Sequence, residues 1–178
     1  MRAVTFAILE YLLGFTALAV FAYLAFGRGP TSDEGFVFAF KVSGLVAAAE
    51  VGVLLSRRAA ANRLILGANL WLIAASLAAY LEQWWWLRTY QQFGEASLFF
   101  SILLVGLVST WLSPAGFVAK VGPAMAVRRS SLLLLAAVIV AMGLAVYFRG
   151  NTKYAAVLPV IVLSWLNRLL RHRLPSKA

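Results

Sequence analysis

The chain has 178 residues, of which 63% are hydrophobic and 12% charged, and its formal net charge is +10. So apolar a composition excludes an ordinary soluble domain and points to a multi-span membrane protein forming one helical domain over residues 1–178. There is no cysteine, and the one histidine, His172, lies in a basic tail. Disulfides, thiolate nucleophiles, cysteine-held zinc or iron–sulfur clusters and a histidine-ligated centre within the spans are therefore excluded, and no cofactor or metal is expected.

Residues 3–27 make a first apolar run, long enough to cross hydrocarbon at about 1.5 Å per residue. A signal peptide cleaved after Ala17-Leu18-Ala19 is the rival reading. Glu10 interrupts its would-be apolar core and apolar sequence continues to Phe26, so an uncleaved span is expected. Arg28 to Gly35 reads as a turn-rich loop.

The second span, 36–55, carries Lys41 and Glu50. Nine residues put them on opposite helix faces, about 13 Å apart along the axis, so they do not pair with each other. Each ionised group near a span centre costs roughly 2.5 to 3.5 kcal/mol, against about 0.3 to 0.6 returned by each Phe, Val or Leu. Other helices must then help to hold the segment. Gly44, Ala48 and Gly52 share the Lys41 face, and Ser43 shares that of Glu50. Small residues on one face let helices approach closely, so this segment is expected inside the bundle, with the rest of the chain organised around it.

A third span, 64–83, is polar at Asn69 and Ser76 and ends at Glu82, followed by Trp84, Trp85 and Trp86. Aromatics there mark a water interface, and the stretch through Tyr90 to Glu95 is expected to be an interfacial loop or short surface helix. The fourth span, 96–112, stops at Ser113-Pro114, where proline removes a donor and restricts its predecessor. Residues 115–127 are apolar but too short and too broken by Gly116, Lys120, Gly122 and Pro123 to cross, so they are expected to lie in the interface or re-enter. Spans 132–148 and 154–170, the latter with Pro159, complete the set, and a basic tail follows over 168–178.

Counting lysine and arginine orients the bundle. With the N-terminus inside, Arg2, Arg57, Arg58, Arg63, Lys120, Arg128, Arg129, Arg168, Arg171, Arg173 and Lys177 lie inside. Only Arg28, Arg88, Arg149 and Lys153 lie outside, together with Asp33, Glu34, Glu82 and Glu95. Eleven against four is the positive-inside asymmetry of six spans with both termini cytoplasmic. It places the protein in a bacterial-type inner (plasma) membrane, with anionic phospholipid at the inner surface as a partner. Basic residues in short clusters between apolar runs, not on one folded face, argue against nucleic acid. In size, span number and placement of termini the chain resembles the substrate-binding membrane subunits of energy-coupling-factor vitamin transporters. That resemblance of architecture implies a transport role and carries no residue across.

Two groups of candidate site residues emerge. Glu10 and Glu50 sit at similar depth toward the inside, where adjacent carboxylates share a proton in a proton-coupled carrier. The alternative is neutralisation by Arg57, Arg58 or Arg63 or by a neighbouring subunit, and Asn69 fits either arrangement. Toward the outside, Lys41 and Glu82 fall near one level beside Tyr80, Trp84, Trp85, Trp86 and Tyr90. An acid among aromatic faces suits an organic cation, whereas tryptophans at a span end also serve as interface anchors and Lys41 with Glu82 also makes a structural pair. No hydrolase, zinc-protease or phosphate-loop motif is present, so catalysis is not expected. The leading expectation is a transport component with a polar outward-facing pocket. The alternative is a non-catalytic structural or assembly subunit of a larger membrane complex, with other membrane subunits as partners.

Overall fold

The computed structural model describes residues 15–27, 32–56 and 61–174. The first half of the expected 3–27 span, with Glu10, and the arginines at 57 and 58 lie outside the described residues. The described elements are helical, with no strand among them: α1 (Thr16–Phe26), α2 (Asp33–Ser56), α3 (Arg63–Tyr80), α4 (Trp84–Phe93), α5 (Ala96–Leu112) and α6 (Ala124–Tyr147), then a π-helical turn (Lys153–Val157) that runs into α7 (Leu158–Arg173). Four segments are long and apolar enough to cross a membrane: α2, α3, α6 and Lys153–Arg173. The two shorter apolar helices are α1 and α5.

Chain contacts divide the protein into two compact units. The first holds residues up to Arg57 together with Asn69–Arg88, and the second holds Arg58–Ala68 and Thr89 onward. Helix α3 contributes to both, its first turns to the second unit and the remainder to the first.

In the first unit α1 packs against α2. Phe21 of α1 stacks on Phe40 of α2 at 4.7 Å between ring centroids, and Trp71 of α3 meets each of them edge-on at 5.7 Å. Lipid tails are as apolar as these rings, so burial alone does not drive the association. The complementary ring geometry contributes, at about 0.5 to 1.5 kcal/mol per aromatic pair. Helices α2 and α3 approach closely at Gly44, where a Cβ would overlap the Ser76 side chain.

This packing corrects the expected role of the second span. Ala39, Phe40, Ser43, Gly44 and Ala47 of α2 are buried, but Phe38, Leu45, Val53 and Leu55 are exposed. Of the expected small-residue stripe only Gly44 is enclosed; Ala48 is exposed and Gly52 faces open space. The more enclosed helix is α3, in which Leu64, Ile65, Ala68, Asn69, Leu72 and Ala75 are all buried. Its small residues allow this: Gly67 lies where a Cβ would stand 2.8 Å from Ile102 Cα of α5, and the Ser101 hydroxyl donates to the Gly67 carbonyl at 2.9 Å. Charge drew attention to α2, yet close backbone approach depends on side-chain size.

In the second unit α5 packs against α6, and α6 against the π-helical turn and α7. Residues 115–119 neither cross nor lie open but fold into buried turns, with Phe117 and Val118 fully enclosed. The Phe117 amide donates to Ser131 Oγ at 2.9 Å. Gly116 has φ +58° and backs so closely onto Ser131 and Val127 that any Cβ would clash. The helix after this loop starts at Ala124, eight residues before the expected start at 132, so Arg128 and Arg129 lie within its second turn. The stretch after the tryptophans is the short helix α4.

Gly44→Val is expected to lower stability by about 1 to 3 kcal/mol through overpacking, while Gly52→Ala should leave it within about 0.5 kcal/mol of wild type. Unfolding in detergent micelles by heat or by sodium dodecyl sulfate compares the two. Equal tolerance at both sites would contradict the α2–α3 contact.

Candidate functional site

Some polar side chains of the apolar helices, such as Ser43, Ser56 and Thr110, donate to carbonyls of their own helix, and others engage neighbouring helices. Glu50, about two turns before the end of α2, accepts the backbone N–H of Ala17 at 3.0 Å through one carboxyl oxygen. Through the other it accepts Nδ2 of Asn69 at 2.8 Å. Ala17 is in the first turn of α1, where amides have no intrahelical acceptor, and the helix-start residue Phe15 supplies no side-chain cap. Glu50 therefore supplies from a neighbouring helix the acceptor that a capping side chain would supply locally. Asn69 is fully buried, and its Oδ1 has no hydrogen-bond partner. One carboxyl group thus links α1, α2 and α3. Arg63, expected as a possible neutraliser, belongs to the second unit, and its Nε is buried without a hydrogen-bond partner.

Toward the other end of α2, Lys41 is half-buried and its ammonium lies 5.1 Å from the centroid of the Tyr80 ring. The Ser76 hydroxyl reaches the Lys41 carbonyl at 3.4 Å, a weak bond between α2 and α3. Glu82 is exposed and forms no ion pair with Lys41. Its backbone is left-handed, φ +53°. The next amide, Gln83 N–H, bonds to the Ala78 carbonyl at 2.8 Å, and this six-to-one bond closes the end of α3. Glycine is the usual residue at such a position, because a side chain costs about 1 kcal/mol there.

Trp84 and Trp85 are exposed and Trp86 is half-buried. The Trp85 indole N–H donates to Gln83 Oε1 at 3.1 Å, and the Trp85 and Trp86 rings meet edge-on at 5.6 Å. Tyr90 belongs to the second unit, where burial and the negative charge of Glu95 push its phenol above the ordinary value and keep it neutral. The structure thus brings Lys41 to Tyr80, and Glu50 to Asn69 and Ala17.

Sequence reasoning did not anticipate the polar contacts at the end of α7. Lys120 Nζ donates to the carbonyls of Arg171 and Leu174, at 2.8 and 2.5 Å, capping that helix with a cation where its dipole is negative. Buried Asn62 caps α3 by accepting the Leu64 amide at 3.1 Å, and it also accepts Nδ2 of buried Asn167 at 3.4 Å. An asparagine immediately before an apolar helix was the available signal for the cap. Nothing in the spacing of 62 and 167 announces the pair. Among the described residues no three His, Asp or Glu side chains gather as metal ligands. Comparison of the chain with protein-family models, with curated proteins and with solved structures finds no match.

A double-mutant cycle tests the Glu50–Asn69 bond. Glu50→Ala and Asn69→Ala should each destabilise by about 1 to 3 kcal/mol, with a coupling energy of about 0.5 to 2 kcal/mol. Strict additivity in detergent unfolding would contradict a direct bond.

Proposed function

We propose that this is a six-span protein of a bacterial-type inner membrane, with both termini cytoplasmic, acting as a non-catalytic structural or assembly subunit of a larger membrane complex. The observation that carries this reading is the engagement of Glu50. Both carboxyl oxygens hold neighbouring helices, an arrangement that favours packing over proton carriage. Two further features support a partner in the membrane. The Lys41 ammonium faces an aromatic ring and no carboxylate among the described residues, and the α2 face below it carries exposed Leu45, Ala48 and Gly52. A neighbouring helix with small residues and one acid would complement that strip.

A second reading, a transport component with an outward site, is favoured by one specific observation. Glu82 occupies a left-handed position that glycine fills at lower cost, and such strain often accompanies function. With Lys41, Tyr80 and Trp84–Trp86 in the same unit, it would offer a polar and aromatic site at the outer edge.

Native mass spectrometry of the full chain, extracted in mild detergent from its own membrane, separates the readings. The assembly reading expects a co-purifying membrane subunit that Lys41→Leu releases while the fold persists. A lone chain retaining a small molecule, lost on Glu82→Gly, supports the transport reading instead. Reporter fusions at Asn151 and Ala178 test topology: external for the first and cytoplasmic for the second are expected, and an external signal at Ala178 would remove the six-span arrangement.

A further inference from the structure

Neither reading uses the corner where α5 ends and α6 begins. Here the Arg128 guanidinium lies over the Trp111 ring, 4.3 Å from its centroid. Both residues are exposed, as is Arg129. Cation–π attraction holds the guanidinium beside the indole, and because Arg128 is exposed its N–H donors stay within reach of an external anion. Arginine in this state suits a phosphate better than a freely rotating side chain would.

The corner is held from behind. Phe117 and Val118 are fully buried, and the Phe117 amide is bonded to Ser131. From Pro114 to Ser131 the sequence carries three cations, Lys120, Arg128 and Arg129, and no acid. Lys120 caps the end of α7, which leaves the two arginines for an external anion. They lie next to each other in the second turn of α6, so their charges act together on an anion at this corner. Beside them, at the end of α5, Leu112 is 81% exposed, and one turn further along α6 on the helix face of Arg128 Leu132 is 48% exposed. A soluble phosphate compound would leave those apolar surfaces uncovered, whereas a phospholipid covers them with an acyl chain.

We infer that this corner binds one anionic phospholipid of the inner leaflet, its phosphate at Arg128 and Arg129 and an acyl chain along Trp111, Leu112 and Leu132. The inference rests on the membrane residence and orientation proposed above, but not on the choice between assembly and transport.

The test is native mass spectrometry of the full-length chain in detergent, titrated with phosphatidylglycerol or phosphatidylcholine of the same acyl chains. Wild type should retain one phosphatidylglycerol in clear preference to phosphatidylcholine. Arg128→Gln should weaken that retention about fivefold, as expected for one basic group at an anionic surface. Trp111→Leu, which keeps the surface apolar, should weaken it about two- to fivefold. Arg173→Gln, a charge loss elsewhere, should leave it unchanged, and circular dichroism confirms that each variant is folded. Equal retention of the two lipids, or an equal loss in Arg128→Gln and Arg173→Gln, would overturn the site while leaving membrane residence intact. Retention of neither lipid by a protein that also fails to sediment with membranes would overturn membrane residence, and the site with it.

Discussion

Glu50 holds α1, α2 and α3 together because it answers two donors that an apolar surrounding cannot satisfy. The Ala17 amide, in the first turn of α1, and the Asn69 side chain, buried in α3, both donate to its carboxyl group. An unpaired backbone amide in a medium without water costs several kcal/mol, and a buried carboxyl without donors is costlier still. Brought together, each removes the other's penalty. The net contribution is modest, but both bonds are kept only where α1, α2 and α3 are in register, and in that register Phe21, Phe40 and Trp71 meet.

That layer and the close contacts follow from side-chain size. Gly44 admits Ser76 and Gly67 admits Ile102, so α3 takes part in close packing in both units, through Ser76 in the first and Gly67 in the second. The second unit repeats the device in its loop, where Gly116 backs onto Ser131 and a bonded amide secures the turn. Polar groups then close the helix ends: Asn62 at the start of α3, Lys120 at the end of α7. Specific contacts of small and polar residues supply what the hydrophobic effect does not supply between helices in lipid.

The helical, membrane-like character of the chain was legible from composition and from runs of apolar residues. The end of α5 was legible as well, because Pro114 cannot continue a helix without losing a donor. The start of α6 was not: Ala124–Val127 lacks a capping residue, and Arg128 and Arg129 resemble a loop in any reading that keeps charge out of helices. The enclosure of α3 was hidden for a related reason. It has no charged residue after Arg63 to draw attention, whereas Lys41 and Glu50 make α2 conspicuous. Among the candidate site residues, the depth of Glu50 and Asn69 could be read from their distance to the span ends. The Ala17 amide could not, since a backbone donor leaves no mark in a sequence, and Glu10 lies outside the described residues.

Glu50 acts as a structural acceptor, and the sharpest test observes the bond itself. In solution NMR of the full chain in micelles, the Ala17 amide proton should resonate downfield in wild type and move upfield in Glu50→Ala. Ala19, whose amide bonds to the Phe15 carbonyl at 2.9 Å, should shift little in the same variant and serves as the internal reference. An Ala17 resonance unchanged by the loss of Glu50 would contradict the claim that this carboxyl group holds the start of α1.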